Sequence, residues 1–236
     1  MTSPGDSPSA DRRQWRPVDA LKALGWWFLA GTLAYAVVLP NEVSTGELFG
    51  FVVPVQSLGA IAGVAWMART RSPWRDALAL RVAWADWVGL LMGAALQIGL
   101  AYVLVVIVEG VFHGSLPNQE VVDAASVTVG SFDKVLVATS LIVIGPAAEE
   151  LVFRGVLLRA LLVRHGPRVA VWVSAIAFAA IHLLDPNAWV VAPLLAVLGL
   201  VMGNQVVRTG RLGRSVAIHA GFNLVTVVAL FTVSGS

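Results

Sequence analysis

The chain has 236 residues, of which 58% are hydrophobic and only 13% are charged, and its mean hydropathy is +0.80. A soluble domain is about half apolar and about a quarter charged, so the composition excludes an ordinary soluble protein and predicts a membrane protein. The formal net charge of +2 is too small to indicate nucleic-acid binding, and the chain contains no cysteine. Disulfides, thiolate catalysis and thiolate metal sites are therefore excluded.

Residues 1–19 are polar at first and are predicted to form a disordered tail. Apolar segments follow at roughly 20–39, 48–68, 85–108, 133–163, 169–184, 188–207 and 212–233. Most approach the roughly twenty residues that a helix needs to cross a bilayer. Because alternation typical of strands is missing, we expect an all-α, polytopic membrane bundle of about seven to eight transmembrane helices. The fourth segment contains Gly145-Pro146, where a second helix could begin, and this leaves the count open.

Basic and acidic loops alternate along the chain. The tail and the loops near 69–81, 159–168 and 208–214 are rich in arginine, whereas the loops between them are mostly acidic. Basic loops stay on the cytoplasmic side of a membrane. We therefore expect an integral protein of the cell (plasma) membrane, with a cytoplasmic N-terminus and, if there are seven spans, an external C-terminus.

One stretch places ionisable residues inside an apolar segment. Residues 145–155 read GPAAEELVFRG, with Glu149, Glu150 and Arg154 in a largely apolar run from about 135 to 162. Charged groups at membrane depth are rare and usually functional. Glu150 and Arg154 are four residues apart and could form a purely structural ion pair, but such a pair would leave Glu149 unexplained.

Two later segments carry polar residues with the same spacing. Phe178 and His182 are four residues apart, as are His219 and Asn223, so each pair shares a helix face. A turn near residues 165–167 would bring His182 to the depth of the first motif. Each polar residue alone could be an interhelical hydrogen-bonding group. Their convergence predicts a functional polar site in the cytoplasmic half of the membrane.

Together the three motifs resemble those of the CAAX prenyl protease and bacteriocin-processing family, CPBP, also called Abi. They follow in the family's order, as Glu149-Glu150-x-x-x-Arg154, Phe178-x-x-x-His182 and His219-x-x-x-Asn223, and the similarity covers roughly residues 133–230. The resemblance implies an intramembrane endopeptidase of glutamate type that hydrolyses peptide bonds of membrane-associated proteins or peptides. It divides the chain into the tail (1–19), N-terminal transmembrane helices (20–130) and a CPBP-like catalytic core with a polar intramembrane cavity (131–236).

The resemblance also implies roles for the motif residues. Glu149 would be the general base, and His182 would help to hold and activate water. His219 and Asn223 would form the oxyanion hole. The supporting and orienting residues would be Glu150, Arg154 and Phe178. A base and oxyanion donors are what amide hydrolysis needs.

Other functions remain open at this point. Two carboxylates and two imidazoles could bind zinc, but their spacing matches no local zinc motif, so we expect neither a metal nor another cofactor. The alternatives to a peptidase are a non-catalytic immunity or scaffold protein of the same fold and a proton-coupled transporter. The expected partners are a peptide or membrane-protein substrate and the lipid bilayer, not nucleic acid; the sequence specifies neither the substrate nor the oligomeric state.

Overall fold

The computed structural model describes residues 14–40, 43–69, 78–107, 110 and 131–233. Every regular element in these ranges is helical, which confirms the predicted all-α bundle. Six helices are long and apolar enough to cross a bilayer, and one of them, Ser131–His182, divides in two at a bend. The described helices are α1 (Pro17–Val38), α2 (Thr45–Ala68), α3 (Trp84–Ile107), α4 (131–165), α5 (167–182), α6 (Ala192–Thr209) and α7 (Gly213–Val233).

These helices make the protein an integral membrane protein, since helices of this length and apolarity need a bilayer around them. Residues 1–13 of the predicted tail and residues 111–130 of the predicted N-terminal region lie outside the described residues. Helix α1 begins at Pro17. Proline suits this position, because the N–H that it lacks would have no partner within the first turn of the helix.

The chain reverses direction between α4 and α5. Gly166 has a φ of 73°, in the left-handed region that favours glycine, and a proline follows it directly. Contacts across the bend show the reversal. The rings of Phe153 and Phe178 lie 5.5 Å apart, and Ser174 Oγ donates to the Phe153 carbonyl at 2.9 Å. This hairpin agrees with the predicted turn and brings the first and second motifs to a similar depth.

Helix α4 continues through Gly145-Pro146, so the second helix that could begin there is not formed. A π-helical turn at Ser140–Ile144 precedes the proline, and the Gly145 N–H donates to the Ser140 carbonyl five residues earlier. A proline ring normally clashes with the carbonyl four residues before it. The wider π turn changes the register of the backbone hydrogen bonds before the proline. The helix therefore accommodates the proline.

Helices α3 and α7 pack closely because glycines line their contact. A Cβ atom at Gly93 would lie 1.9 Å from the carbonyl oxygen of Ile218, and one at Gly221 would lie 2.1 Å from that of Leu90. Small residues allow helix backbones to approach each other in this way within a membrane. Because Gly221 lies between the two polar residues of the third motif, this contact sets the position of that motif.

Two polar contacts join helix ends at the arginine-rich segments. Arg164 Nη1 donates to the carbonyl of Trp15 at 3.0 Å, which joins the end of α4 to the start of α1. Arg211 Nη2 donates to Asp86 Oδ1 at 2.8 Å, which joins the α6–α7 loop to the start of α3. Both contacts link helix ends that the loop charges predict to lie on the same side of the membrane.

Candidate active site

Phe178 on α5 is the residue around which the three motifs meet. Its side chain is fully buried. Its ring centroid lies 5.0 Å from that of His182 on the same helix and 5.5 Å from that of His219 on α7. The Cζ atom of Arg154 on α4 lies 4.4 Å from the centre of the same ring. The structure therefore brings side chains of all three predicted motifs together.

The predicted ion pair in the first motif is present and completely buried. Arg154 Nη1 donates to Glu150 Oε1 at 2.8 Å, and neither side chain has any exposed surface. Arg154 Nη2 also donates to the carbonyl of Gly199 on α6, at 3.4 Å. A buried charge that loses its partner is strongly destabilising, so the ion pair holds Glu150 in place within α4. The bond to Gly199 ties α4 to α6.

Glu150 has two more partners on α7. The hydroxyl of Ser215 donates to Oε2, and His219 Nδ1 lies 3.3 Å from Oε1. Ser215 is fully buried, and it was not predicted from the sequence as a site residue. It lies four residues before His219, which is the same spacing that defines the other motifs. A serine in an apolar helix often bonds its own backbone, so the spacing alone did not distinguish it.

Glu149 differs from its neighbour in both exposure and bonding. Its side chain retains 17% of its accessible surface, whereas its Oε2 atom is buried and has no hydrogen-bond partner among the described residues. His219 Nε2 lies 3.6 Å from that oxygen. This separation is too long for a direct hydrogen bond, but a bound water molecule or substrate atom can contact both groups.

The imidazole of His219 therefore lies between two carboxylates. Nδ1 faces Glu150 and Nε2 faces Glu149. With Glu150 ionised beside Arg154, Nδ1 carries a proton, because a carboxylate can only accept a hydrogen bond. This contact fixes the orientation of the ring and directs Nε2 towards Glu149.

His182 is held by its own helix. Its Nδ1 atom lies 2.8 Å from the carbonyl oxygen of Phe178. A carbonyl only accepts, so Nδ1 carries the proton, and Nε2 of the neutral ring is left as an acceptor. No hydrogen bond in the described part of the chain joins His182 directly to Glu149.

Asn223 makes its contact with α4. Its Nδ2 atom donates to the carbonyl of Leu141 at 2.7 Å. A carboxamide nitrogen has two hydrogens, so one remains for another acceptor. A contact between Asn223 and this backbone carbonyl was not predicted from the sequence.

Comparison with known proteins agrees with the motifs. Residues 131–225 match the family described as type II CAAX prenyl endopeptidase Rce1-like. The match covers less than half of the chain. The match confirms the resemblance to the CPBP family and supports a CAAX-type intramembrane protease in general. No curated protein and no solved structure matches the chain.

The Rce1-like segment contains every motif residue described above, and the earlier helices support it from outside. Helix α3 packs on α7 through the glycine contact. Helix α2 accepts a hydrogen bond from Ser140 of α4, whose Oγ lies 2.5 Å from the carbonyl of Phe49. The N-terminal helices thus help to position α4 and α7.

The Rce1-like segment also contains the groups that were considered as zinc ligands. Within the described ranges, no three His, Asp or Glu residues are arranged to hold a metal ion. Glu150, which a metal would need as a second carboxylate, is already neutralised by Arg154 and bonded to Ser215. The expectation of a metal-free site remains a prediction.

Proposed function

We propose that the protein is an intramembrane endopeptidase of glutamate type that hydrolyses peptide bonds of membrane-associated proteins or peptides. The observation that supports this most is the difference between two adjacent acids. Glu150 is buried and bonded to Arg154 and Ser215, whereas the Glu149 side chain is partly exposed and its buried Oε2 atom has no hydrogen-bond partner among the described residues. An acid with a free oxygen can take a proton from water. The Rce1-like match supports proteolysis in general and favours neither the transporter nor the non-catalytic alternative.

In the proposed reaction, Glu149 is the general base. Its Oε2 atom accepts a proton from a water molecule as the water oxygen attacks the carbonyl carbon of the scissile peptide bond. His182 accepts a hydrogen bond from the same water through Nε2, which its bond to the Phe178 carbonyl leaves free. The proton then passes from Glu149 to the amide nitrogen, which departs as an amine when the tetrahedral intermediate collapses.

His219 and Asn223 stabilise the oxyanion. This role requires a proton on Nε2 of His219 as well as on Nδ1, because only an N–H group donates, and the carboxylates of Glu149 and Glu150 lie on either side of the ring. Its Nε2–H then donates to the oxyanion, as does the amide hydrogen of Asn223 that does not bond Leu141. Removing one donor of this kind typically lowers the rate by about 100–1,000-fold.

The arginine-rich helix ends support a location in the cytoplasmic half of the bilayer. Arg164 and Arg211 lie at helix ends, and basic segments are retained on the cytoplasmic side. The N-terminus is then cytoplasmic, and the polar cavity opens towards the cytoplasm. We assign the protein to the plasma membrane. The substrate is a peptide or a membrane-protein segment; a prenylated C-terminus, which the family description names, is one candidate.

Peptide-end mapping tests the proposed activity. Membranes that carry the wild type are compared with membranes that carry Glu149→Ala at the same protein level. New peptide ends that occur only with the wild type support proteolysis and the role of Glu149. Identical sets of ends in both membranes, with both proteins folded, would contradict the proposal and favour the immunity or scaffold alternative.

A further inference from the structure

Pro146 leaves a backbone carbonyl of α4 without a backbone donor. In the π-helical turn Ser140–Ile144, the Gly145 N–H donates to the Ser140 carbonyl, five residues earlier. In this register the next carbonyl, that of Leu141, would pair with the N–H of residue 146. Proline has no N–H, and the Gly145 N–H is already used. The Leu141 carbonyl therefore needs a donor from elsewhere.

Asn223 on α7 supplies that donor. Its Nδ2 atom lies 2.7 Å from the Leu141 oxygen. Because a membrane-spanning helix must pair its backbone polar groups within the protein, an unpaired carbonyl there is costly, and the hydrogen bond is correspondingly favourable. It fixes the rotation of the carboxamide and leaves one amide hydrogen free. Pro146 and Asn223, on different helices, are thus linked through one carbonyl.

Helix α2 shows the same arrangement independently. Its π-helical turn Leu48–Val52 precedes Pro54, and the carbonyl five residues before that proline belongs to Phe49. Ser140 Oγ donates to this carbonyl at 2.5 Å. In both helices, a proline after a π turn frees a carbonyl, and a side chain of another helix binds it. Because Ser140 and Leu141 are adjacent, the two hydrogen bonds join α2, α4 and α7 consecutively.

We propose that Pro146 is a positioning residue for the oxyanion hole, because it frees the Leu141 carbonyl that holds the Asn223 carboxamide. The catalytic consequence rests on the proposed function, whereas the hydrogen bond does not. Neither Pro146 nor Leu141 belongs to the three motifs. Replacing Pro146 by alanine restores the N–H of residue 146, which can then compete with Asn223 for the carbonyl.

Side-chain amide exchange tests the hydrogen bond without any activity measurement. The protein is labelled with ¹⁵N-asparagine in detergent micelles, and the Asn223 signal is identified by its loss in Asn223→Ala. We expect one protected Asn223 amide proton in the wild type, which exchanges about tenfold faster in Pro146→Ala. Pro193→Ala is the matched control, because Pro193 lies in the first turn of α6, where a missing N–H frees no carbonyl. It should leave the Asn223 signal unchanged.

Two results of the exchange measurement would overturn the proposal. One is an Asn223 amide in the wild type that exchanges as fast as a free carboxamide, a result that needs no variant. The other is an Asn223 amide proton that exchanges at the same rate in Pro146→Ala as in the wild type. The proposal is supported if the Asn223 amide proton is protected from exchange in the wild type and loses this protection in Pro146→Ala.

Cleavage of a substrate identified by peptide-end mapping tests the positioning role. We expect Pro146→Ala to lower kcat by about 100-fold, the effect of a displacement of about 1 Å, and to leave KM within about twofold of the wild type. In an Asn223→Ala background the same substitution should cause no further loss, because both changes remove one donor. Multiplicative losses would overturn the positioning role. If the wild type produces no new peptide ends, the proposed function fails, while amide exchange still decides whether Pro146 holds Asn223.

Discussion

The Nε2 atom of His219 lies 3.6 Å from the Oε2 atom of Glu149. The same ring faces Glu150 through its other nitrogen, at 3.3 Å. One imidazole therefore contacts two adjacent acids, and these acids differ in burial and in bonding. Glu150 is fully buried and bonded to Arg154, whereas Glu149 is partly exposed. We infer that Glu150 orients the imidazole and that Glu149 reacts.

Arg154→Met should destabilise the protein strongly. Removing one partner of a buried ion pair leaves the other charge uncompensated, which costs about 3–5 kcal/mol. Unfolding by denaturant in detergent micelles measures this loss. The double substitution Glu150→Gln/Arg154→Met is the control and should recover part of the stability, because it leaves no unpaired charge. A single variant that unfolds like the wild type would show that the pair contributes nothing.

Ser215→Ala should cost about 1.5–3 kcal/mol of unfolding free energy, because its hydroxyl donates to the ionised Glu150. Ser174→Ala is a matched control. Ser174 is equally buried but donates to the neutral carbonyl of Phe153, so its loss should cost about 0.5–1.5 kcal/mol. The two variants are compared by denaturant unfolding and by cleavage. Equal losses in stability, or a lower cleavage rate in Ser174→Ala alone, would contradict the role given to Ser215.

Gly221→Ala should separate α7 from α3 and impair cleavage. The new Cβ atom would lie 2.1 Å from the backbone oxygen of Leu90, which cannot move as a flexible side chain can. Gly99→Ala, on α3, is the control, since nothing lies within 4 Å of its Cβ position. That change should stabilise its helix by up to about 1 kcal/mol. Full activity in Gly221→Ala would show that the third motif does not depend on this contact.

Metal chelators should leave cleavage unchanged. The proposed reaction uses a carboxylate and two imidazoles, and Glu150 is occupied by Arg154 rather than available to a metal. The protein is dialysed against EDTA and 1,10-phenanthroline, and cleavage is measured before and after zinc is added back. Loss of activity that zinc restores would identify a zinc enzyme and contradict the metal-free reaction.

Local spacing accounts for the parts of the site that could be predicted from the sequence. Residues four apart share a helix face, so the ion pair between Glu150 and Arg154 and the contact between Phe178 and His182 follow from the sequence. The bend at Gly166 was predicted because a proline directly follows that glycine. Each of these features depends on residues close together in the chain.

The convergence of the three motifs was predicted, but other features that depend on distant residues could not be. Adjacent helical residues point about 100° apart, but only the packing of α7 shows that Glu150 faces inwards and Glu149 towards the open side. The bond from Asn223 to Leu141 spans 82 positions. The sequence left open whether a second helix begins at Gly145-Pro146, and the π turn that lets α4 continue could not be foreseen from it.

The assignment of Glu149 as the base is tested most directly by the cleavage rate of Glu149→Gln, compared with Glu150→Gln at matched protein level. Glutamine keeps the shape of the side chain and removes its ability to take a proton. We expect Glu149→Gln to fold with the stability of the wild type and to lose cleavage, and Glu150→Gln to lose stability as well, because Arg154 is left unpaired. Cleavage at the wild-type rate by folded Glu149→Gln would contradict the role of Glu149 as the base.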